Sequence, residues 1–286
     1  MLPFFEKLPP CLVGAEACGT SHHWARELTK LGHEVRLMPA AYVKPYVKRG
    51  KNDAADAEAI CEAVTRQTMR FVPIKSREQQ AALSLHRVRN LLIKQRTQLV
   101  NMMRSVLAEL GVAIPVGIRK ALQIAREIVD GESKLDLPAE AANVIAMLAG
   151  QLLQLHAQLR KLDLRLAALQ RSDDRARRLA TIPGIGPIGA TALAASVTDP
   201  GQFSSGRQFA AWLGLTPRQS SSGGKERLGR ITKMGDRYLR QLLVIGATAL
   251  VRYAKQKPDT VDPRCVALLA RKPARVVSVA IANKTA

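Results

Sequence analysis

The chain has 286 residues, with 44 Lys and Arg against 23 Asp and Glu, a formal net charge of +21. A fold that basic repels itself unless a polyanion neutralises it, so nucleic acid is the indicated partner, against the alternative of a generally basic, solvated surface. Aromatic residues make up only 4%, which sets base stacking aside as the main mode and favours phosphate contact with a steep salt dependence.

Residues 1–75 read as a small α/β piece. Cys11 to Ala15 is a short apolar strand, Ser21 to Leu31 a helix closed by Gly32, and His33 to Met38 alternates as a half-buried strand does. A loop with Pro45 and the basic run Lys48-Arg49-Gly50-Lys51 follows, and Asn52 or Asp53 caps a helix running to about Arg66. Two strands do not make an independently stable sheet, so this domain is expected to be incomplete.

Residues 76–175 read as helical. Arg77 to Leu110 forms one long helix, capped by Ser76 and stopped at Gly111. A second spans about Pro138 to Leu169, where Leu148, Leu152, Leu155, Leu159, Leu162, Leu166 and Leu169 alternate steps of four and three. That pattern is a coiled-coil seam, which either closes a helical hairpin within the chain or zips a dimer. The third region, 176–286, opens on a glycine-rich turn, passes through a serine loop and continues as helix from about Asp236 to Lys255. It ends at Ala286 in mid-pattern, and the C-terminus is expected to be incomplete.

Three features carry possible chemistry. The turn from Arg177 to Ala195, built on P-G-I-G, resembles a helix-hairpin-helix. Gly184 and Gly186 let the backbone turn, amides and a helix N-terminus can hold a phosphate, and Arg177 and Arg178 are close enough to help. The serine loop, Ser220-Ser-Ser-Gly-Gly-Lys225, lies in a stretch from Gly201 to Arg240 with eight basic and two acidic residues. Arg218, Lys225, Arg227, Arg230 and Lys233 would contact DNA. A serine hydroxyl there could attack a phosphodiester, with cations stabilising the charge, or the loop could simply touch phosphates. Asp53 and Asp56, three residues apart, share a helix face, and Glu16 sits at the end of the first strand. Converging, they could hold Mg²⁺; taken singly, Asp53 is an N-cap and Asp56 a first-turn acid. The cysteines Cys11, Cys18, Cys61 and Cys265 form no C-x-x-C pair and no cluster with histidine, which argues against zinc and disulfides. The opening MLPFFEKLPPCLVG lacks the basic n-region and long apolar core of a signal peptide, and no run of about 20 apolar residues offers a membrane span. The expected location is the bacterial cytoplasm, on the nucleoid when bound.

Taken in order, Glu16-Ala-Cys-Gly, Lys51-Asn-Asp-Ala-Ala-Asp56, the coiled-coil middle, P-G-I-G and F-A-A-W-L-G-L-T-P-R-Q-S-S-S-G-G-K resemble the transposases of the insertion-sequence 110/1111 family, related to Piv-type DNA invertases. The resemblance covers essentially the whole chain. It implies a mostly α protein with a small α/β N-terminal part: an incomplete RuvC-like (RNase H-like) domain, long coiled-coil helices and a helical C-terminal transposase domain. It implies a D-E-D-D metal site for Mg²⁺ or Mn²⁺, in which Glu16 matches the E and Asp53 and Asp56 the closing pair. It implies that Ser222, or failing it Ser221 or Ser220, attacks the scissile phosphate and forms a transient protein–DNA link. It further implies a guide RNA encoded by the element and assembly as a homodimer or homotetramer. The family's first Asp precedes Glu16, and none of residues 1–15 is Asp. The chain is therefore expected to be an N-terminally truncated copy with a defective metal site. The rival expectations are a non-catalytic DNA-binding remnant and a metal-dependent, structure-specific nuclease.

Overall fold

The computed structural model describes residues 1–48 and 52–286, so of the basic loop Lys48-Arg49-Gly50-Lys51 only Lys48 is described. The chain is mostly helical and falls into two compact units, Met1–Gln80 with Ser196–Gln202, and Ala81–Ala195 with Phe203–Ala286.

The first unit starts with a short α1 (Leu2–Phe5) and is organised around a β-α-β turn. Strands β1 (Leu12–Glu16) and β2 (Glu34–Met38) run parallel, with Leu12 opposite Glu34 and Glu16 opposite Met38. Parallel strands cannot be joined by a tight turn, and α2 (Ser21–Lys30) makes the crossover. Helices α3 (Ala40–Val43) and α4 (Asp53–Val64) follow. Met38, Val43, Ala59, Ala63 and Val64 form the core, and β1 rests on α4 with Gly14 against Ile60 and Val64. His33 is buried; its Nδ1 accepts from the Cys11 amide at 3.2 Å, and its Nε2 lies 3.1 Å from the Phe5 carbonyl. Val72 adds a single antiparallel bridge to Leu37, and among the described residues the sheet has no further strand.

The second unit has two cores. In one, α5 (Arg77–Glu109), α6 (Ile118–Val129) and α7 (Ala139–Ser172) bring together Val100, Met103, Leu107, Leu122, Ile145 and Leu152. The leucine stripe of α7 is used within the chain. Leu152, Leu159 and Leu166, seven apart, are buried, while Leu148, Leu155, Leu162 and Leu169 stay half-buried. Arg89 Nε pairs with Asp163 Oδ1 at 2.6 Å, tying α5 to α7. The intramolecular helical hairpin thus accounts for one of the two heptad rows and leaves the other partly uncovered.

The second core joins α8 (Asp174–Leu179), α9 (Pro187–Ser196), α10 (Gly206–Trp212), α11 (Arg237–Gln256) and α13 (Ala274–Thr285). Between α10 and α11 lies a hairpin of β3 (Pro217–Gln219) and β4 (Leu228–Ile231), and α12 (Pro263–Arg271) precedes α13. Small residues set the spacing: Ala176, Ala190, Ala192, Ala194 and Ala247 are buried beside Leu193, Leu213, Leu239 and Leu243. The tightest approach is at α11, where a Cβ on Gly246 would overlap the Gly184 carbonyl.

That contact predicts a contrast between two helical glycines. Gly246→Ala pushes backbone against backbone and should lower stability by about 3 kcal/mol, the upper end of overpacking costs. Gly150→Ala, in α7 with nothing within 4 Å of the new methyl, should raise stability by about 0.5–1 kcal/mol through helix propensity. Urea midpoints of the two variants provide the check.

Candidate active site and nucleic-acid interface

The serine loop is a β-hairpin. Its tip is the two-residue turn Gly223-Gly224, with φ of 56° and 74°. Two successive positive φ values define a type I′ turn, which matches strand twist and which glycine adopts without a Cβ penalty. The Lys225 amide donates to the Ser222 carbonyl at 3.1 Å, closing the turn, and Ser222 pairs with Lys225. Two pairs further down, the Ser220 amide donates to the Arg227 carbonyl at 2.9 Å. Side chains alternate along a strand, so Ser220 and Ser222 share one face with Lys225 and Arg227.

The three serines differ in what their hydroxyls do. Ser221 Oγ accepts from the Arg227 amide at 3.1 Å and so helps hold the hairpin. Ser222 is exposed at the tip, and no hydrogen bond to its hydroxyl is found among the described residues. Residues 221–230 are exposed throughout, as are Arg218 and Lys233. None of Arg218, Lys225, Arg227, Arg230 or Lys233 enters an ion pair among the described residues, so their charge is directed outward.

The base of the hairpin is rigid. A Cβ on Gly235 would overlap the Trp212 carbonyl, and one on Gly214 would lie 2.5 Å from the Met234 amide. The Lys233 amide donates to the Gly214 carbonyl at 3.0 Å and the Thr232 amide to Thr216 at 2.9 Å. Arg240 Nη1 donates to the Leu213 carbonyl at 2.9 Å. Asp236 caps α11, accepting from the Tyr238 and Leu239 amides. Tyr238, in the first turn, then reaches a buried node that composition and spacing did not reveal. Its hydroxyl lies 3.1 Å from Nδ1 of His86, and Thr191 Oγ1 lies 3.2 Å from Nε2. Thr191 gives its proton to the Pro187 carbonyl at 2.8 Å, so Nε2 must donate to it and Nδ1 must accept from Tyr238. Burial, with Arg89 nearby, pushes His86 down to about 4 from an ordinary 6.5. The same burial pushes Tyr238 up.

The P-G-I-G turn, read as part of a helix-hairpin-helix, lies between the short helices α8 and α9. Its glycines divide the work. Gly184, at φ 87°, packs against Gly246 and Leu250, which assigns it to helix packing. Gly186 is exposed, with open space around it. Arg177 and Arg178 are exposed on α8, and Arg177 pairs with Asp174.

The carboxylates are not gathered. Among the described residues no group of three or more His, Cys, Asp or Glu side chains is placed to hold a metal. Glu16 is half-buried at the end of β1, Asp53 exposed and Asp56 half-buried in the first turn of α4. The cap of α4 is Asn52, whose Oδ1 accepts from the Ala55 amide at 2.8 Å, so Asp53 is not the N-cap. Asp56 precedes Ile60 and Val64 by four-residue steps, which places it on the helix face that meets β1. The donors are the hard oxygens Mg²⁺ prefers, but three of them do not converge, and the expected metal set does not fit as it stands.

Two family models match the chain: one described as "Transposase IS116/IS110/IS902 family" over residues 176–261, and a DEDD model described as "Transposase" over residues 4–111. A Pseudomonas aeruginosa protein named "Probable family 20 transposase" is 51% identical over 283 residues, covering 99% of this chain and 84% of that protein. The transposase for insertion sequence element IS1328 of Yersinia enterocolitica is 38% identical, over 99% of this chain and 84% of its own length. The transposase for insertion sequence element IS1111A of Coxiella burnetii is 39% identical, over 96% and 75%. Among the described residues no helix is long and apolar enough to cross a membrane.

The His86 node makes stability pH-dependent. The unfolded chain takes up this proton below about pH 6.5, whereas the folded chain resists until about 4. Folded stability present above pH 6.5 is therefore lost as pH falls through that window, by on the order of 3 kcal/mol at most. His86→Gln should flatten the fall in urea midpoint between pH 6.5 and 4 relative to the unsubstituted chain.

Proposed function

Because the chain belongs to the IS116/IS110/IS902 family of transposases, we propose that it binds DNA through the serine hairpin and the α8–α9 turn, and that Ser222 is the nucleophile of strand cleavage. Transposition of an insertion sequence is the family's activity, and DNA is the partner that follows from it. The observation that carries the finer reading is the hairpin tip. Ser222 stands exposed and unengaged on one face with Lys225 and Arg227, while Ser221 is tied into the hairpin.

In the reaction, a bond forms between Ser222 Oγ and phosphorus, and one P–O ester bond of the strand breaks. The proton ends on the departing hydroxyl. Reversal with a different strand's hydroxyl rejoins the DNA. Lys225, Arg227 and Arg218 face the charge that builds on the phosphate oxygens. Arg230, Lys233, Arg177, Arg178 and the open backbone at Gly186 hold the flanking phosphates. Gly184 serves the turn from inside, by packing. Glu16, Asp53 and Asp56 belong to the RuvC-like part and would be the ligands of Mg²⁺ or Mn²⁺, whose chemistry is to neutralise the phosphate. Scattered as they are, they support only weak binding of the cation. By family resemblance the further partners are a guide RNA encoded by the element and other copies of the chain. The half-buried row Leu148, Leu155, Leu162 and Leu169 supports a dimer or tetramer.

The ungathered carboxylates favour a second reading, a DNA-binding protein that does not cleave. Incubation with a branched DNA junction and Mg²⁺, followed by denaturing electrophoresis, separates the two. A covalent adduct supports the nucleophile, and a salt-sensitive mobility shift without one supports the second reading. Product without an adduct would indicate a nuclease that uses water. Ser222→Ala should abolish the adduct and leave DNA affinity within a few fold, while Ser221→Ala should keep it; an adduct surviving in Ser222→Ala places the nucleophile elsewhere. Lys225→Ala or Arg227→Ala should weaken binding to all sequences alike and reduce the slope of log K against log salt by about 1.

A further inference from the structure

Three aromatic side chains meet beside the serine hairpin. Phe209 and Trp212, three apart on α10, stack with ring centres 5.7 Å apart and planes 18° apart. Phe203 closes on both, 5.0 Å from Phe209 and 5.6 Å from Trp212, with planes at 63° and 60°. The cluster has an inside and an outside. Phe209 packs against the buried core, whereas Trp212 is 40% exposed.

The mount of Trp212 is stiff. Its carbonyl is pressed on Gly235, and the next carbonyl, of Leu213, takes the Arg240 guanidinium. The residue stands five positions before β3 and in backbone contact with the turn that follows β4, at the base of the hairpin that carries Ser222. Exposed cations stand near it along the chain: Arg207 on α10, Lys233, and Arg237 at the start of α11; the one exposed acid among them, Asp236, is taken up in capping α11. An indole held rigid, open on one side and set in a stretch rich in cations is suited to a flat ring that comes with phosphates. A paired base does not offer its face, because its neighbours in the stack cover it. The occupant must therefore be unpaired, and such a base is exposed wherever a strand is opened.

From this geometry we infer that Trp212, backed by Phe209 and Phe203, is a stacking platform for one unpaired nucleobase of the DNA handled by the serine hairpin. The inference rests on the DNA-binding reading above. It narrows the ligand there from a phosphate backbone to a backbone with an open base.

The chain has two tryptophans, so Trp24→Phe leaves Trp212 as sole reporter in the full-length protein. Its fluorescence is titrated with a duplex carrying one unpaired thymidine, with the same duplex carrying an abasic residue there, and with the fully paired duplex. The expected result is quenching by the thymidine bulge alone, and about tenfold tighter binding of it than of the abasic duplex. Trp212→Ala should remove that preference and Trp212→Phe should restore part of it, with far-UV circular dichroism confirming the fold. Equal affinity and quenching for the bulged and abasic duplexes overturn the platform and leave the DNA-binding reading standing. Absence of binding to any of the three at low salt overturns both. If Trp212→Ala does not fold, the comparison of bulged with abasic DNA on the Trp24→Phe chain still decides.

Discussion

Backbone meets backbone where the α10–β3 turn crosses the β4–α11 turn. No side-chain atom fits there: residue 235 has no room for a Cβ beside the Trp212 carbonyl, and residue 214 has none beside the Met234 amide. Two antiparallel strands with a polar, exposed surface are at best marginal in water. What holds this hairpin is the pinning of its two ends, through the Gly214, Gly235 and Arg240 contacts, to helices that share a core. The flexible-looking segment is thus a short rigid finger on a packed hand. Beyond its base, Asp236 caps α11, and Tyr238 in the first turn reaches the buried His86.

Charge explains why such a finger stays free. The five outward cations of the hairpin region enter no ion pair among the described residues, and Glu226 is the lone carboxylate on the exposed stretch 221–230. Elsewhere ion pairs hold cations locally: Arg89 is held by Asp163, Arg66 by Glu62 and Lys48 by Glu58. The excess of positive charge is therefore distributed unevenly in function. Part of it is held in ion pairs, and the part at the serine turn enters none among the described residues.

Much of the scaffold could be read from the sequence because it rests on local rules. Helical spacing marked the first long helix and heptad spacing the second, each within a few residues, while an apolar run marked β1 and alternation marked β2. α6 was legible too, since Ile118, Ala121, Leu122, Ala125 and Val129 recur at helical spacing, although two of its buried positions are alanine. The hairpin was legible in principle: Ser-Gly-Gly-Lys is a two-residue I′ turn signal, but its flanks are too polar to read as strands. The role of Gly184 was not legible, since a glycine that turns the chain and one that admits a neighbouring helix look the same until Gly246, sixty-two residues on, is placed against it. Nor could residue spacing show that Glu16, Asp53 and Asp56 would fail to converge. Helix geometry puts Asp53 and Asp56 near each other, whereas the distance to Glu16 depends on tertiary packing.

The two-glycine tip has a consequence of its own. In a hairpin closed by two residues, which way each side chain faces is settled by counting from the turn. From Gln219 to the tip the pairing is regular, and the irregularity between the strands is confined to the stretch nearer the base, toward Pro217 and Ile231. A residue gained or lost on the tip side would rotate Ser222 to the opposite face, away from Lys225 and Arg227, with every amino acid of the site still present. The same change beyond the irregularity could be absorbed. The neighbours of the hydroxyl are thus set by arithmetic along the strand, and the length of this segment decides them as much as its composition does.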